Sequence, residues 1–244
     1  MANRFRWILF LSVLLPLTTV SSGIREAYAQ APILVDDFEG YEAGVPPYLW
    51  KRPHQRSRSL LDLSRELERD DDYFEIVEES GNKRARAYTR NESTQVVRPN
   101  GDGYRWNLQT HPRLAWEWKA ERLPDGARED KGGLNDAGAA LYVMFASKDW
   151  LGRPRSIKYT YSSTLPVGKT AKYGPLRVVV VASGADGFGE WMRMERDVVA
   201  DYRRLFRRDP PDEPVYIMMW SDSDNTESVA EVFFDNIELL PENE

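Results

Sequence analysis

The stretch that decides the fold class is LAWEWK, residues 114–119. In an extended chain, successive side chains point to opposite faces, so Leu114, Trp116 and Trp118 would share one face. The alternate positions, among them Glu117, would share the other face. Because large aromatic side chains dominate core burial, we expect both tryptophans to be buried. The pattern predicts a β-strand with one face against the core.

Short segments of the same kind recur along the chain, separated by turn residues, which is the pattern of a sandwich or a barrel. We expect strands at Ile33–Phe38, Tyr73–Val77, Ala85–Thr89, Arg113–Lys119, Ala139–Ala146, Ile157–Ser162, Leu176–Ala182, Trp191–Arg196, Val215–Trp220 and Val229–Leu239. The continuously apolar Val178–Val181 should lie within a sheet that is covered on both faces. The glycine-rich Ser183–Gly189 should join that strand to the next as a hairpin. We therefore predict an all-β, jelly-roll β-sandwich.

The sequence also predicts one or two short peripheral helices. Leu60–Glu68 and Val198–Phe206 have apolar residues at helical spacing, and Asp197 can cap the start of the second. The highly charged stretch Lys51–Asp72 is the least patterned part of the chain, so we expect it to be an excursion from the sheet. Residues 30–244 contain no internal repeat and no long linker, which indicates a single domain.

The first residues have the order of a secretory signal. Two early arginines precede the apolar run Trp7–Val20, and the small-residue motif Ala27-Tyr28-Ala29 follows it. The apolar run is shorter than the ~20 residues that a membrane-spanning helix needs, which favours cleavage before Gln30 over an uncleaved anchor. We expect residues 1–29 to be removed, leaving a periplasmic or secreted protein without a transmembrane segment.

Composition excludes several classes of function. The chain has no cysteine, so disulfides, thiolate metal sites and cysteine nucleophiles are excluded. Its 39 acidic residues outnumber its 33 basic residues. This balance disfavours nucleic acid as a partner, because Lys and Arg must neutralise phosphates. There are two histidines, without H-E-x-x-H spacing, and there is no G-x-S-x-G nucleophile motif.

The loop Ser221–Thr226 is a candidate site for a structural Ca²⁺. Asp222, Asp224 and Asn225 place several oxygens on one short segment, and Ca²⁺ prefers such oxygen ligands. The alternative is a β-turn, because Asp and Asn side chains hydrogen-bond their own backbone in tight turns. Both interpretations stay open from the sequence alone.

A second candidate Ca²⁺ site lies where the two ends of the fold would meet. In jelly-roll sandwiches the first and last strands often lie side by side, so Asp37, Glu39 and Asp235 could converge on one ion. The alternative is a set of separate carboxylates that discourage edge-to-edge aggregation of sheets.

Aromatic residues supply the candidate ligand-binding positions. Trp191 would share a strand face with Arg193 and Glu195, opposite the apolar Met192 and Met194. A sugar ring has an apolar face that stacks on an aromatic side chain and a polar edge that needs hydrogen bonds. The candidate glycan-binding residues are Trp191, Arg193, Glu195, Tyr159, Tyr161 and Trp220.

The last third of the chain contains a series of segments with a distinctive pattern: Ser183-Gly184, Gly189-Glu190-Trp191, Glu195-Arg196-Asp197-Val198, Ala200–Phe206 and Asp222–Thr226. Upstream segments extend the series, namely Leu114–Lys119, Tyr142–Phe145 and Phe38–Tyr41. Together they resemble the bacterial domain-of-unknown-function family 3047 over roughly residues 33–240. The resemblance implies an exported protein with a β-sandwich fold, and it implies no activity. The chain departs from the family pattern at Asn135-Asp136, around Ala140, at Tyr161 and in Lys51–Asp72.

Three functional hypotheses remain. The opening DFEG, residues 37–40, and the closing FDNIEL, residues 234–239, are similar to carbohydrate-binding jelly rolls of the galactose-binding type. They favour non-catalytic binding of a glycan or another envelope polymer. The first alternative is a polysaccharide hydrolase or lyase that uses paired carboxylates from Asp222, Asp224 and Glu195. The second alternative is an envelope module whose aromatic face binds another protein.

Overall fold

The computed structural model describes residues 30–54, 59–65, 69–186 and 188–242. The predicted signal peptide, residues 1–29, lies outside this part. The strands are β1 (Ile33–Asp36), β2 (Lys51–Pro53), β3 (Leu60–Asp62), β4 (Asp72–Glu79), β5 (Asn82–Arg90), β6 (Ser93–Pro99), β7 (Arg113–Arg122), β8 (Ala139–Lys148), β9 (Pro154–Ser162), β10 (Thr170–Tyr173), β11 (Leu176–Ser183), β12 (Met192–Asp197), β13 (Pro214–Asp222) and β14 (Val229–Leu240). A helix, α1, spans Val198–Phe206.

The strands form two sheets. The six-stranded sheet has the order β12-β7-β14-β5-β4, with β1 paired to β14, and the eight-stranded sheet has the order β10-β11-β9-β8-β13-β6-β2-β3. Neighbouring strands run antiparallel except β9 and β11, which are parallel. A hydrophobic core with residues from both sheets lies between them. The predicted jelly-roll β-sandwich is therefore confirmed.

Aromatic side chains connect the two sheets. Trp116 and Trp118 on β7 have no exposed surface, as their strand pattern predicted. Trp116 packs against Tyr159 of β9 at 5.6 Å between ring centroids, and Trp118 packs against Tyr161 at 5.7 Å. Because such rings bury large areas and prefer tilted contacts, these pairs fix how β7 and β9 lie across the core.

The buried carboxylate of Asp36 stabilises the segment that follows β1. The first and last strands, β1 and β14, pair antiparallel as expected. Asp36 at the end of β1 accepts hydrogen bonds from Phe38 N at 2.9 Å, Tyr41 Oη at 2.6 Å and Trp50 Nε1 at 2.8 Å. Burial raises the pKa of Asp36, although these hydrogen bonds oppose that rise. The bond to Phe38 also holds that residue at a φ of 57°, a left-handed value that is rare for an aromatic residue.

One of the two predicted helices is confirmed and the other is wrong. The helix α1 has the predicted bounds, and Asp197 caps it by accepting from Ala200 N at 2.8 Å. Leu60–Glu68 is not a helix, because Leu60–Asp62 pairs with β2 as the strand β3, while residues 66–68 lie outside the described part. Within the described residues, no helix combines the length and hydrophobicity needed to cross a membrane.

Two further expectations need correction. The segment Ser183–Gly189 is not a hairpin, because β11 and β12 belong to different sheets and the connection crosses between them. The charged stretch Lys51–Asp72 is not wholly outside the sheet, because β2 and β3 extend one edge of the eight-stranded sheet.

Replacing Asp36 with alanine should lower the free energy of unfolding by at least about 2 kcal/mol, because it leaves buried donors without an acceptor. Urea unfolding of the purified protein measures the change. The matched control is Asp37→Ala, since Asp37 accepts one longer bond, from Glu39 N at 3.2 Å. The control should cost less than about 1 kcal/mol. Equal losses in the two variants would contradict the role given to Asp36.

Candidate functional site

A cavity of about 470 Å³ lies on the outer face of the eight-stranded sheet. We call it the cleft. Its floor is formed by β8, β9, β11 and β13, and its walls include Pro53 of β2, Tyr173 of β10 and Glu129 of the β7–β8 connection. The volume lies within the usual range for sites that bind small molecules.

Strand alternation separates the cleft from the sandwich core. Along β13, Ile217 and Met219 point into the core, whereas Met218 and Trp220 belong to a second apolar cluster on the opposite face. Tyr142 of β8 belongs to the same second cluster. The eight-stranded sheet therefore has apolar side chains on both faces, and those on the outer face form the cleft floor.

Two aromatic rings of the floor are stacked. Tyr142 and Trp220 lie 5.5 Å apart between ring centroids, with an interplanar angle of 26°. In the strand register, Trp220 is opposite the small Ala140, and Tyr142 is opposite Met218. The small alanine leaves room for the indole to lean diagonally onto Tyr142. The Nε1 of Trp220 is buried and has no hydrogen-bond partner within the described part of the chain.

Lys158 places a positive charge next to this aromatic pair. It is opposite Tyr142 in the β8–β9 register, and its Nζ lies 5.7 Å from the centroid of that ring. The residue is 5% exposed. Burial alone would lower the pKa of Lys158, but the neighbouring Tyr142, Glu129 and Asp222 together raise it above its ordinary value. The ammonium group therefore stays charged inside the cleft.

Glu129 is held over β9 by two hydroxyl groups. It is almost fully buried and accepts from Thr160 Oγ1 at 2.9 Å and from Ser162 Oγ at 2.5 Å. Tyr173 Oη donates to its backbone carbonyl at 2.8 Å. These contacts attach the β7–β8 connection to the outer face of the sheet, where it forms one wall of the cleft.

Asp222 ends β13 beside the cleft and is 7% exposed. Burial raises its pKa to about 7, the carboxylates of Asp136 and Asp224 add to the rise, and Lys158 opposes it. Its Oδ1 has no hydrogen-bond partner among the described residues. The cleft thus contains a carboxyl group that takes up or releases a proton near neutral pH.

Asp136 organises the loop after β13. The sequence patterns did not indicate Asp136 as a ligand. Its Oδ1 accepts from the backbone and side-chain nitrogens of Asn225 at 3.1 and 3.0 Å, and its Oδ2 accepts from Thr226 N and Oγ1 at 2.8 and 2.6 Å. One carboxylate oxygen each of Asp136, Asp222 and Asp224 lies within 4.8 Å of the others. The side-chain nitrogen of Asn225 donates to Asp136 and to Asp224, so this amide takes part in turn hydrogen bonds, and its role as a metal ligand stays a prediction.

The metal site predicted at the chain ends is wrong. Among the described residues, Asp37, Glu39 and Asp235 form no group of ligand atoms close enough for one ion. Glu39 accepts from Lys83 N at 2.9 Å, and Asp235 accepts from Asn82 Nδ2 at 2.8 Å. Strand pairing brings the chain ends together, but these carboxylates have separate partners.

The predicted ligand-binding residues fall into separate places. Tyr159 and Tyr161 have no exposed surface, because they point into the core, so neither can stack on a ligand and that prediction is wrong. Of the predicted aromatic residues, Trp220 lines the cleft. Trp191 lies beside β12 of the other sheet, where Arg84 packs over its ring at 4.5 Å.

Arg193 and Glu195 lie on β12 and take part in ion pairs. Arg193 binds Glu238 at 2.7 Å, and Glu195 binds Arg113 at 2.7 Å. Because β12 belongs to the six-stranded sheet and the cleft lies on the outer face of the eight-stranded sheet, Glu195 does not join Asp222 in the cleft. The proposed catalytic combination of Asp222, Asp224 and Glu195 is therefore not assembled.

Comparison with known proteins confirms the family. The family model "Protein of unknown function (DUF3047)" matches residues 64–238, and the chain belongs to this family. A search of curated proteins finds no match.

Solved structures with a similar architecture include three glycan-related proteins. The family 30 carbohydrate-binding module of a cellulosomal cellulase from Clostridium thermocellum is 11% identical, with a TM-score of 0.42, covering 88% of this chain and 100% of that one. A family 12 xyloglucanase from Bacillus licheniformis is 8% identical, with a TM-score of 0.39, covering 82% and 100%. The exolytic PL7 alginate lyase of Zobellia galactanivorans is 11% identical, with a TM-score of 0.34, covering 81% and 96%. Likeness at this level assigns no ligand.

The stability of the protein should depend on pH through Asp222. Its pKa is raised to about 7 in the folded protein, whereas an unfolded aspartate has a pKa near ~3.9. The folded state then binds more protons between these values, so stability should fall as pH rises from about 4 to about 7. In chelator, Asp222→Asn should lose about 2–3 kcal/mol less than the wild type between pH 5 and 8, measured by urea unfolding. Parallel curves for the wild type and Asp222→Asn would contradict the shifted pKa.

Proposed function

We propose that this DUF3047 protein binds a glycan or another envelope polymer in the cleft without transforming it. The observation that carries the proposal is the stacked pair Tyr142 and Trp220, which lies in the floor of a cavity on the outer face of the sheet. The signal-like order of residues 1–29 supports a periplasmic or secreted location, where such polymers occur.

The chemistry of the cleft suits a ligand with apolar faces and polar edges. The second apolar cluster, which includes Tyr142 and Met218, offers a surface for the C–H face of a sugar ring. Polar groups of Gln95, Asn135 and Lys158 surround that surface and can bind hydroxyl groups. A few polar groups around an apolar surface are the usual composition of a binding site.

A polysaccharide-active enzyme is the second candidate, and Asp222 favours it. A carboxyl group whose pKa is about 7 can donate a proton at neutral pH, which is the task of a general acid. Glu129 is the other carboxylate of the cleft, and two hydroxyl groups hold it in place. This pair replaces the combination that included Glu195.

The test is binding to an array of neutral, acidic and amino-sugar oligosaccharides, followed by affinity measurements on variants. Trp220→Phe replaces the indole with a smaller ring that offers less stacking area, and it should weaken binding about fivefold to tenfold. Tyr142→Ala removes the stacked ring and should weaken binding tenfold or more, by about 1.4 kcal/mol. The matched control is Trp191→Phe on the other sheet, which should bind as the wild type does.

Two outcomes would contradict the proposal. Loss of binding in Trp191→Phe together with normal binding in Trp220→Phe and Tyr142→Ala would place the site elsewhere. Release of reducing ends or unsaturated products from a bound oligosaccharide, lost in Asp222→Asn, would replace binding with catalysis.

A further inference from the structure

We propose that Asp136, Asp222 and Asp224 bind a hard divalent cation such as Ca²⁺ at the end of the cleft. We refer to these three residues as the aspartate site. The inference is independent of glycan binding, but it is an alternative to the general-acid role of Asp222, because a carboxylate that binds a cation is deprotonated.

Two distant parts of the chain build the aspartate site. Asp222 ends β13, and Asp136 belongs to the β7–β8 connection. The backbone N–H of Asp222 donates to the carbonyl of Ala137 at 3.0 Å, which holds the connection beside the strand end. As a result, one oxygen from each of the three carboxylates lies within 4.8 Å of the others, a spacing that one ion can bridge.

Asp136 is fixed in position before any ion binds. Four donors from Asn225 and Thr226 hold its two oxygens, and the residue has no exposed surface. Each oxygen accepts two of these bonds, which fill the lone pairs of the carboxylate, so an ion that binds Asp136 has to displace at least one donor. Ion binding should therefore loosen the hydrogen bonds from Asn225 or Thr226.

The buried side chain of Asp222 also points to a bound ion. The side chain is 7% exposed, and its Oδ1 has no hydrogen-bond partner among the described residues. A buried carboxyl oxygen without a hydrogen-bond partner is unfavourable. Another buried aspartate of this chain, Asp201, is neutralised by Arg196 and Arg204, each at 2.7 Å. Asp222 has a positive neighbour in Lys158 of the same cleft, but its Oδ1 has no hydrogen-bond partner among the described residues, and a bound cation would provide one.

Asp224 gives the ion a route from solvent. It is exposed, whereas Asp136 and Asp222 are buried, so the group is open on one side. Ca²⁺ accepts six to eight oxygen ligands, and water can complete a shell that three carboxylates begin. The ion would then lie where the cleft meets solvent.

The experiment uses the mature protein, stripped with chelator and titrated with CaCl₂ or TbCl₃. Tb³⁺ has the ligand preference of Ca²⁺ and emits when a nearby tryptophan is excited, and Trp220 is two residues from Asp222. We expect saturable Tb³⁺ emission that Ca²⁺ displaces, and a melting temperature that rises with Ca²⁺ and falls again with chelator. Asp222→Asn and the exposed Asp224→Asn should each weaken binding at least tenfold.

The matched control is Asp235→Asn, which alters a buried aspartate outside the site and should bind the ion as the wild type does. Two results would overturn the proposal: no saturable binding at millimolar Ca²⁺ by calorimetry, or binding that survives in both Asp222→Asn and Asp224→Asn. Failure to bind any glycan leaves this test unaffected, so the two proposals fail separately.

Discussion

The buried ammonium group of Lys158 is the constraint on which the cleft depends. Removing such a charge from water costs several kcal/mol unless opposite charges and hydrogen bonds compensate. Here Tyr142, Glu129 of the β7–β8 connection and Asp222 at the end of β13 compensate, because together they raise the pKa of Lys158 despite its burial. Glu129 is bound to β9 through Thr160 and Ser162, so the β7–β8 connection lies over the outer face of the sheet. The cavity is the space that this arrangement encloses.

The sandwich core alone does not require this arrangement. Trp116 and Trp118 pack against Tyr159 and Tyr161 between the sheets, and these contacts already bury the inner face of the eight-stranded sheet. The outer face nevertheless carries a second apolar cluster with buried polar groups beside it. Burying polar groups lowers the free energy of unfolding unless they are compensated. Such groups therefore indicate a binding or catalytic site, since proteins depart from stable packing mainly at functional sites.

Much of the fold could be predicted from the sequence, because alternation of side chains is a local property. It indicated the strand that contains Trp116 and Trp118. It also placed Met192 and Met194 on one face of β12, and that face packs against the core. The site could be predicted less well. A shift of one residue decides whether a side chain faces the core or the cleft, and the sequence does not say which face of a doubly covered strand is inner. For this reason Tyr161 was predicted to contact a ligand, although its side chain lies in the core. Asp136 was missed because its contact with the loop after β13 is long-range and leaves no local motif.

The central claim is that the outer face of the eight-stranded sheet is the ligand site, and methionine methyl groups report on it directly. Met144 and Met218 line the cleft, whereas Met192 and Met194 lie on β12 of the other sheet. NMR spectra of protein labelled with ¹³C at the methionine methyl groups should be recorded during titration with the oligosaccharide that binds best. The account predicts shifts at Met144 and Met218 and unchanged signals at Met192 and Met194. Shifts confined to Met192 and Met194 would contradict it.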